Sequence, residues 1–188
     1  MLTTLAMLLA TPLPQEQAGD AAADCSYDLN EMLALDLDGF DQNFDGGWRT
    51  LSARGCDAEA AELIRDWRYF KRSNSPVLYW HEGQMRAFAG QTEAALELMQ
   101  LRYKSPALDA GFGFNHYLDG TIAFLVGDRD MLDAAIAALE TMPLDEGLDS
   151  PPNLGVLHAF RRCWGRSYKQ AYTDPACFDP PPEDAAAS

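Results

Sequence analysis

The sequence predicts an all-α fold: a short right-handed α-α superhelix of about three stacked helical hairpins followed by a C-terminal capping helix. The main observation is an internal repeat, in which residues of one copy recur 37 residues later: Gly83, Gly90 and Pro106 as Gly120, Gly127 and Pro143. The second observation is that apolar residues between these markers recur at helical spacing. One hairpin cannot bury its own apolar face, so the repeat predicts stacked neighbours.

Before the two copies, the pattern predicts three helices and an acidic loop. A first short helix is expected over 27–37, and Gly46 and Gly47 break the chain before a helix over 48–54. Gly55 ends that helix and Asp57 caps a stronger one over 58–70, whose apolar residues share one face. This pair indicates a third, partial copy of the repeat.

The two full copies and the cap follow the same logic. Pro76 suits a first helical turn, which begins a helix over 77–89 paired with a helix over 92–103. A glycine-rich entry leads to a helix ending at Val126, and Asp128 caps its partner. The last helix is predicted over 153–164, followed by a short polar segment that departs from the pattern, as a capping unit should.

These residues resemble the tetratricopeptide repeat, a helix pair of about 34 residues. In the first copy the resemblance is carried by a small crossing residue, a turn glycine, an early alanine and a closing proline: Gly83, Gly90, Ala95 and Pro106. The second copy has Leu132 where the family has alanine, and the 37-residue spacing is longer than the family's. The resemblance covers 45–165 and implies stacked hairpins with a concave groove lined by the first helix of each pair.

Composition limits the partners. The chain has 188 residues, which predicts one domain, and 47% of them are hydrophobic, as in a globular core. It carries 29 acidic and 14 basic residues, a net charge of −15. Phosphate binding needs clustered cations, so this balance argues against nucleic acid and against an anionic membrane surface.

The two chain ends differ from the rest. Residues 2–10 form an apolar run typical of a signal peptide core, although no basic residue precedes Arg49, so the alternative is that this segment is not a signal. The run is too short to span a bilayer, so no membrane insertion is expected. We predict a leader over 1–24, a folded domain over 25–177, a disordered acidic tail over 178–188, and a periplasmic or secreted protein.

Four cysteines without a CxxC pair exclude zinc ribbons and thioredoxin-like motifs. Four cysteines allow three pairings. We favour Cys25 with Cys56 and Cys163 with Cys177, because each bond would staple one chain end to the array. Four free thiols in a reducing compartment are the alternative.

The resemblance also implies a binding surface. If the groove binds an extended segment, as in the family, its lining is expected to be Asp45, Arg49, Trp80, Gln84, Tyr117, Thr121 and Arg162. Large aromatic residues at helical spacing are more often core, so Trp80 and Tyr117 packed between repeats is the competing interpretation.

The acidic loop contains a weak calcium candidate. Asp41, Asn43 and Asp45, followed by Gly46, match the opening of a calcium loop. Ser52 stands where such a loop places its bidentate glutamate. A solvated acidic turn beside a helix start is the competing interpretation.

The three histidines give no shared motif. His81 and His116 are 35 residues apart, so they do not occupy equivalent positions, and His158 matches neither by spacing. The pairing of His116 with Asp119 lacks any nucleophile motif. No metal or cofactor site is therefore predicted from them.

The resulting functional prediction is an exported scaffold or binding protein whose groove holds a peptide or protein partner. The alternatives are an enzyme, or an accessory subunit of one, that uses polar groove residues, and a purely structural envelope module. A histidine in the groove within hydrogen-bonding distance of a carboxylate would favour the enzyme.

Overall fold

The computed structural model describes residues 23–178, and this part of the chain is helical without a strand. The predicted all-α class is therefore confirmed. A π-helical turn, Asp38–Gln42, lies between α1 and α2. The α-helices are α1 Leu29–Ala34, α2 Arg49–Ala53, α3 Asp57–Lys71, α4 Pro76–Phe88, α5 Thr92–Gln100, α6 Pro106–Asp109, α7 Phe114–Val126, α8 Arg129–Thr141, α9 Leu154–Arg162, α10 Tyr168–Thr173 and α11 Pro175–Phe178.

The predicted hairpins form where the turn glycines stand. Helices α4 and α5 pack against each other around Gly90, and α7 and α8 around Gly127. Both glycines have positive φ, 74° and 76°, a backbone conformation that is strained for residues with a side chain but not for glycine. Asp128 caps α8 by accepting from the Met131 amide at 2.9 Å.

The two small crossing residues serve different contacts. A Cβ on Gly83 would lie 3.2 Å from Cγ of Met99 on α5, the partner helix of the same hairpin. A Cβ on Gly120 would lie 2.6 Å from Cδ1 of Leu157 on α9, the next element along the chain. Both positions need a small residue, but the two copies of the repeat pack on unlike neighbours.

A buried ionic network joins α3 to α4. Glu82 is 2% exposed and accepts from Arg68 Nε at 3.0 Å and from Arg86 Nη2 at 3.2 Å. Arg86 also reaches Glu62 at 3.0 Å. Two buried guanidinium groups around one carboxylate leave few donors unpaired, which is the condition for tolerating charge inside a protein.

Two disulfide bonds tie the ends of the described region to the helices. Cys25 bonds Cys56, just before α3, and Cys163 bonds Cys177 in α11, with Cα–Cα distances of 5.6 Å in both pairs. This is the predicted pairing. Disulfides persist in oxidising compartments, so the cysteines fit such a compartment.

The C-terminal segment contains helices that were not predicted. The sequence pattern describes 166–174 only as a short polar segment, but Tyr168–Thr173 forms α10 and Pro175–Phe178 forms α11. Ser167 and Gln170 form a capping box at the start of α10. Tyr168 and Ala171 are buried, so these two side chains anchor an otherwise polar helix.

Parts of two further predictions lie outside the described residues. These are 1–22 of the predicted leader and 179–188 of the predicted tail, whereas Phe178 of that tail is helical. Within 23–178, no helix combines the length and apolar character needed to cross a bilayer.

Candidate functional site

A pocket of about 430 Å³ opens between α2, α4 and α10. Its lining residues are Phe44, Trp48, Arg49, Ser52, Ala53, His81, Gln84, Met85, Phe88, Lys169, Tyr172 and Thr173. Helices α2 and α4 are the first helices of their pairs, so the pocket lies on the face predicted to form a groove. The third wall, α10, was not predicted.

A buried carboxylate organises one wall of the pocket. Asp41 is fully buried, and its Oδ1 accepts from Trp48 Nε1 at 2.9 Å and from His81 Nδ1 at 2.6 Å. The chain returns Trp48 to this position through Gly47, whose φ is 53°. A Cβ on Gly47 would overlap the carbonyl of Phe40, so only glycine permits this return.

Asp41 sets the chemistry of His81. Burial alone would raise the pKa of Asp41, but the hydrogen bond and charge of His81, with Trp48 and Arg49, outweigh it and place this pKa below its ordinary value. The carboxylate is therefore ionised at neutral pH and only accepts, so Nδ1 of His81 carries the hydrogen. Nε2 is then the ring nitrogen left for a ligand in the pocket that His81 lines.

Arg49 is held by its Nε and by aromatic rings. Nε donates to the backbone carbonyl of Asp41 at 2.9 Å, and the guanidinium lies 4.3 Å from the Trp48 ring centroid and 4.9 Å from that of Phe44. Burial lowers the pKa of Arg49, with Asp41 acting in the opposite direction. No carboxylate in the described region forms an ion pair with it. Its terminal nitrogens are therefore available to a ligand.

Contacts with residues far away in the sequence hold the pocket wall formed by α10. Lys169 pairs with Asp57, the first residue of α3, and Ser52 Oγ donates to the other oxygen of Asp57 at 3.1 Å. Tyr168 and Tyr172 pack on Phe88 of α4, with ring centroids 5.7 and 5.6 Å away. This ion pair and the aromatic contacts hold α10 beside α2 and α4.

The same helix covers the neighbouring part of the predicted groove. Tyr168 packs against Phe124 of α7 and Phe160 of α9, with centroid distances of 6.2 and 5.2 Å. Tyr117 of α7 is 2% exposed, and burial raises its pKa well above the ordinary value. The Tyr168 hydroxyl is buried without a hydrogen-bond partner among residues 23–178. The chain's own C-terminal segment therefore fills the far part of this face.

The structure separates the predicted groove residues. Arg49 and Gln84 line the pocket, and Asp45 is exposed on the adjoining loop. Tyr117 and Thr121 are buried in the core, so the prediction that they line an open groove is wrong. Trp80 packs between Phe114 and Tyr117, as in the competing core interpretation. Arg162 donates to the carbonyl of Cys177 and so holds α11.

No sequence pattern indicated the pairs of distant residues that form the pocket. Asp41 and His81 are 40 residues apart, and Lys169 and Asp57 are 112 residues apart. No periodic signal links residues at such separations. The one available sign was the run Asp41 to Arg49, which the sequence offered as a calcium loop.

The calcium candidate is corrected. Asp41 turns into the core, where Trp48 and His81 occupy Oδ1 and Gln42 Nε2 donates to Oδ2. Asn43 uses its side-chain oxygen to accept from the Asp45 amide at 3.1 Å. The two residues that would supply the first ligands are thus engaged within the protein.

Each histidine has its own carboxylate neighbour. His116 lies 4.0 Å from Asp119 and His158 lies 3.1 Å from Glu140, both at exposed positions. Among residues 23–178, the only cluster of three possible metal-ligating side chains is Cys25, Cys56 and Glu59, and its cysteines form a disulfide.

A second cavity of about 420 Å³ lies near α6 and the start of α7. Asp109 is its buried carboxylate, and both oxygens cap α7 by accepting from the Phe114 and Asn115 amides at 2.8 and 2.9 Å. His116 is at its edge, so the cavity offers less unengaged polar chemistry than the pocket beside Arg49.

Comparison of the chain with protein-family models, with curated protein sequences and with solved structures found no match.

Proposed function

We propose that this chain is an exported, periplasmic or secreted binding protein built from tetratricopeptide-like hairpins, and that the pocket between α2, α4 and α10 receives a segment of a peptide or protein partner. The observation that carries the proposal is the lining of this pocket. Four aromatic side chains, the terminal nitrogens of Arg49 and the side chain of Gln84 surround about 430 Å³. Binding sites for ligands usually combine such walls with a few polar groups.

The position of the pocket supports this assignment. Phe44 is 81% exposed and stands at the pocket with Arg49 beside its ring, so a large apolar side chain is presented to incoming partners. Gln84 is 7% exposed and lines the pocket. A buried amide that faces a pocket favours a partner able to satisfy it.

Photo-crosslinking in the native host tests this function. A benzophenone amino acid at position 44 is expected to form a specific adduct, whereas the same group at exposed Val126 on α7 is not. Ala53 is an exposed residue of α2 that lines the pocket, so Ala53→Trp should fill the pocket and abolish the adduct. Ala137→Trp, at an exposed position of α8, should not. An adduct that persists in Ala53→Trp, or none at all, contradicts the proposal.

The His81–Asp41 pair favours enzymatic catalysis as a second candidate. A carboxylate that orients an imidazole is the arrangement of a general base. The two aliphatic hydroxyl groups that line the pocket are engaged elsewhere, Ser52 with Asp57 and Thr173 with the Lys169 carbonyl, so neither serves as an activated nucleophile. Base-assisted attack by water is the remaining reaction. Hydrolysis of p-nitrophenyl acetate that His81→Gln abolishes would support catalysis, and equal rates would exclude it for this ester.

A further inference from the structure

We infer that the pocket between α2, α4 and α10 recognises one carboxylate attached to an apolar body, with Arg49 as the group that holds the carboxylate. This inference rests on the proposed function and names the chemistry of the group that enters. It is carried by the charges that line the pocket, by the unengaged donors and by the aromatic walls.

The pocket is lined by basic residues although the chain as a whole is acidic. The chain has 29 acidic and 14 basic residues, yet the charged or titratable side chains that line the pocket, tyrosine apart, are Arg49, His81 and Lys169. Asp41 and Asp57 lie behind them and are buried, so their charges are directed at His81 and Lys169 rather than at the cavity. The surface offered to a ligand is therefore one of hydrogen-bond donors.

Arg49 supplies the strongest donor. Its Nε is fixed on the Asp41 carbonyl and its plane is held near Trp48, which leaves the terminal nitrogens without an ion-pair partner in the described region. A partly desolvated guanidinium whose edge between the two terminal nitrogens is free matches the two oxygens of a carboxylate. Because Arg49 is already positioned, binding loses little side-chain entropy.

His81 stands beside the same indole ring. Its ring centroid is 5.2 Å from that of Trp48, and Nδ1 is used by Asp41. Nε2 is therefore the ring nitrogen left for a ligand, and it donates to an anion only when the ring carries both hydrogens. Gln84, on the same helix, adds an amide that can donate in either state.

The net charge of the chain and the single unpaired cation of the pocket favour a monoanion with an apolar body as the ligand. The net charge of −15 repels polyanions, and at physiological ionic strength this repulsion decays over about 8 Å. Lys169 is neutralised by Asp57, so Arg49 is the only pocket cation without an acidic partner among residues 23–178. One unpaired cation matches one carboxylate better than a phosphate dianion. Trp48, Phe88 and Tyr172 provide walls for the apolar part.

Calorimetric titration with matched probes tests the inference. Hydrocinnamate and its amide have the same phenyl body and differ in charge. Hydrocinnamate is expected to bind saturably, at least about tenfold more tightly than the amide, because only the carboxylate engages Arg49. Phenyl phosphate is expected to bind more weakly than hydrocinnamate. A tripeptide ending in phenylalanine, with a free or an amidated terminus, distinguishes a partner's chain end from a free small acid, and preference for either carboxylate form supports the inference.

Variants assign the effect to the pocket. Arg49→Met is expected to remove the preference for the acid over the amide, whereas Arg161→Met, an exposed control with the same change in net charge, should leave it intact. If Arg49→Met fails to fold, Ala53→Trp keeps Arg49 and should abolish binding by filling the cavity. The indole N–H signal of Trp48 should shift on titration of hydrocinnamate with the wild-type protein.

Three results would overturn the inference. Equal affinity for acid and amide means that the pocket takes neutral groups, which leaves the proposed binding function intact. Tighter binding of phenyl phosphate means that the anion is of another class. No saturable binding of any probe up to about 10 mM also rejects the carboxylate site, while the crosslink at position 44 decides the binding function independently.

Discussion

Helices α4 and α7 occupy the same place in the two copies of the repeat, but different residues stand at equivalent positions. His81 and Arg86 of α4 correspond to Leu118 and Ala123 of α7, 37 residues later. The polar side of α4 faces an open pocket and a buried ionic network, whereas Phe124 of α7 packs on aromatic rings of α9 and α10.

The comparison of α4 with α7 shows how two copies of a sequence repeat come to differ. Both helices keep a glycine at the crossing point and a hairpin turn at the same spacing, because backbone approach requires them. The remaining positions respond to what each helix meets beyond its hairpin partner, which is α3 and α10 for α4, and α5 and α9 for α7. Five experiments test this contrast, beginning with the largest expected effect.

Glu82→Gln should produce the largest loss. It removes the charge between two buried arginines, and breaking a buried ion pair costs about 3–5 kcal/mol. Since Arg86 keeps Glu62, we expect about 3 kcal/mol in urea unfolding. The matched control is Asp119→Asn at the equivalent position of α7, which is partly exposed and bonds only Tyr103, with an expected loss of about 1 kcal/mol or less. Equal losses would remove the contrast.

Opening the Cys163–Cys177 bond should loosen the C-terminal helices. The double substitution to serine releases a 14-residue separation, for which about 3 kcal/mol is expected. Because the bond ties α11 to the end of α9, and both α10 and α11 pack on α9, amide hydrogen exchange should increase more in α9 than in α3. Similar increases in both helices would contradict a local effect of the bond.

Asp41→Asn should weaken the pocket wall. The amide oxygen can still accept from Trp48 and His81, but it carries no charge, and the new NH2 would face Gln42 Nε2, which now donates to Oδ2. A loss of about 2 kcal/mol is therefore expected from thermal or urea unfolding. Asp45→Asn, four residues later and exposed, is the control and should change stability by less than about 0.5 kcal/mol. Similar effects at both positions would show that the buried contacts of Asp41 are unimportant.

Acid should remove the contribution of Asp41 gradually. Its pKa in the folded protein is below its value in the unfolded chain, about 3.9, so it stabilises the fold above that pH. This stability is lost as the pH falls through the folded pKa. The difference in unfolding free energy between wild type and Asp41→Asn should therefore be constant near neutrality and decrease below about pH 4. A difference that grows toward acid would show that the shift has the opposite sign.

The crossing glycines should give the smallest effect. At Gly120 a methyl group would overlap Leu157, which is fully buried, so Gly120→Ala should cost about 1–2 kcal/mol. At Gly83 the neighbour is the flexible Met99 at 3.2 Å, and the gain in helix propensity of about 1 kcal/mol offsets the contact. Melting temperatures of the two variants test this order, and a larger loss at Gly83 would reverse it.

Much of the fold could be predicted from the sequence because its signals are local. The hairpin turns at Gly90 and Gly127, the cap at Asp128 and the helix starting at Pro76 depend on residues within a few positions. The cysteine pairing also followed from order along the chain, since each bond closes a short segment. Arg49 and Gln84, which the family resemblance assigned to a groove, both line the pocket.

The pocket is formed by long-range contacts, which the sequence pattern does not contain. The pocket exists because His81 meets Asp41 across 40 residues and Lys169 meets Asp57 across 112, and contacts at such separations have no periodic signature. Helix α10 was missed because its stability depends on burying two side chains, Tyr168 and Ala171, against helices that come earlier in the chain. Local sequence determined which segments are helical, and long-range packing determined which of their polar groups face a ligand.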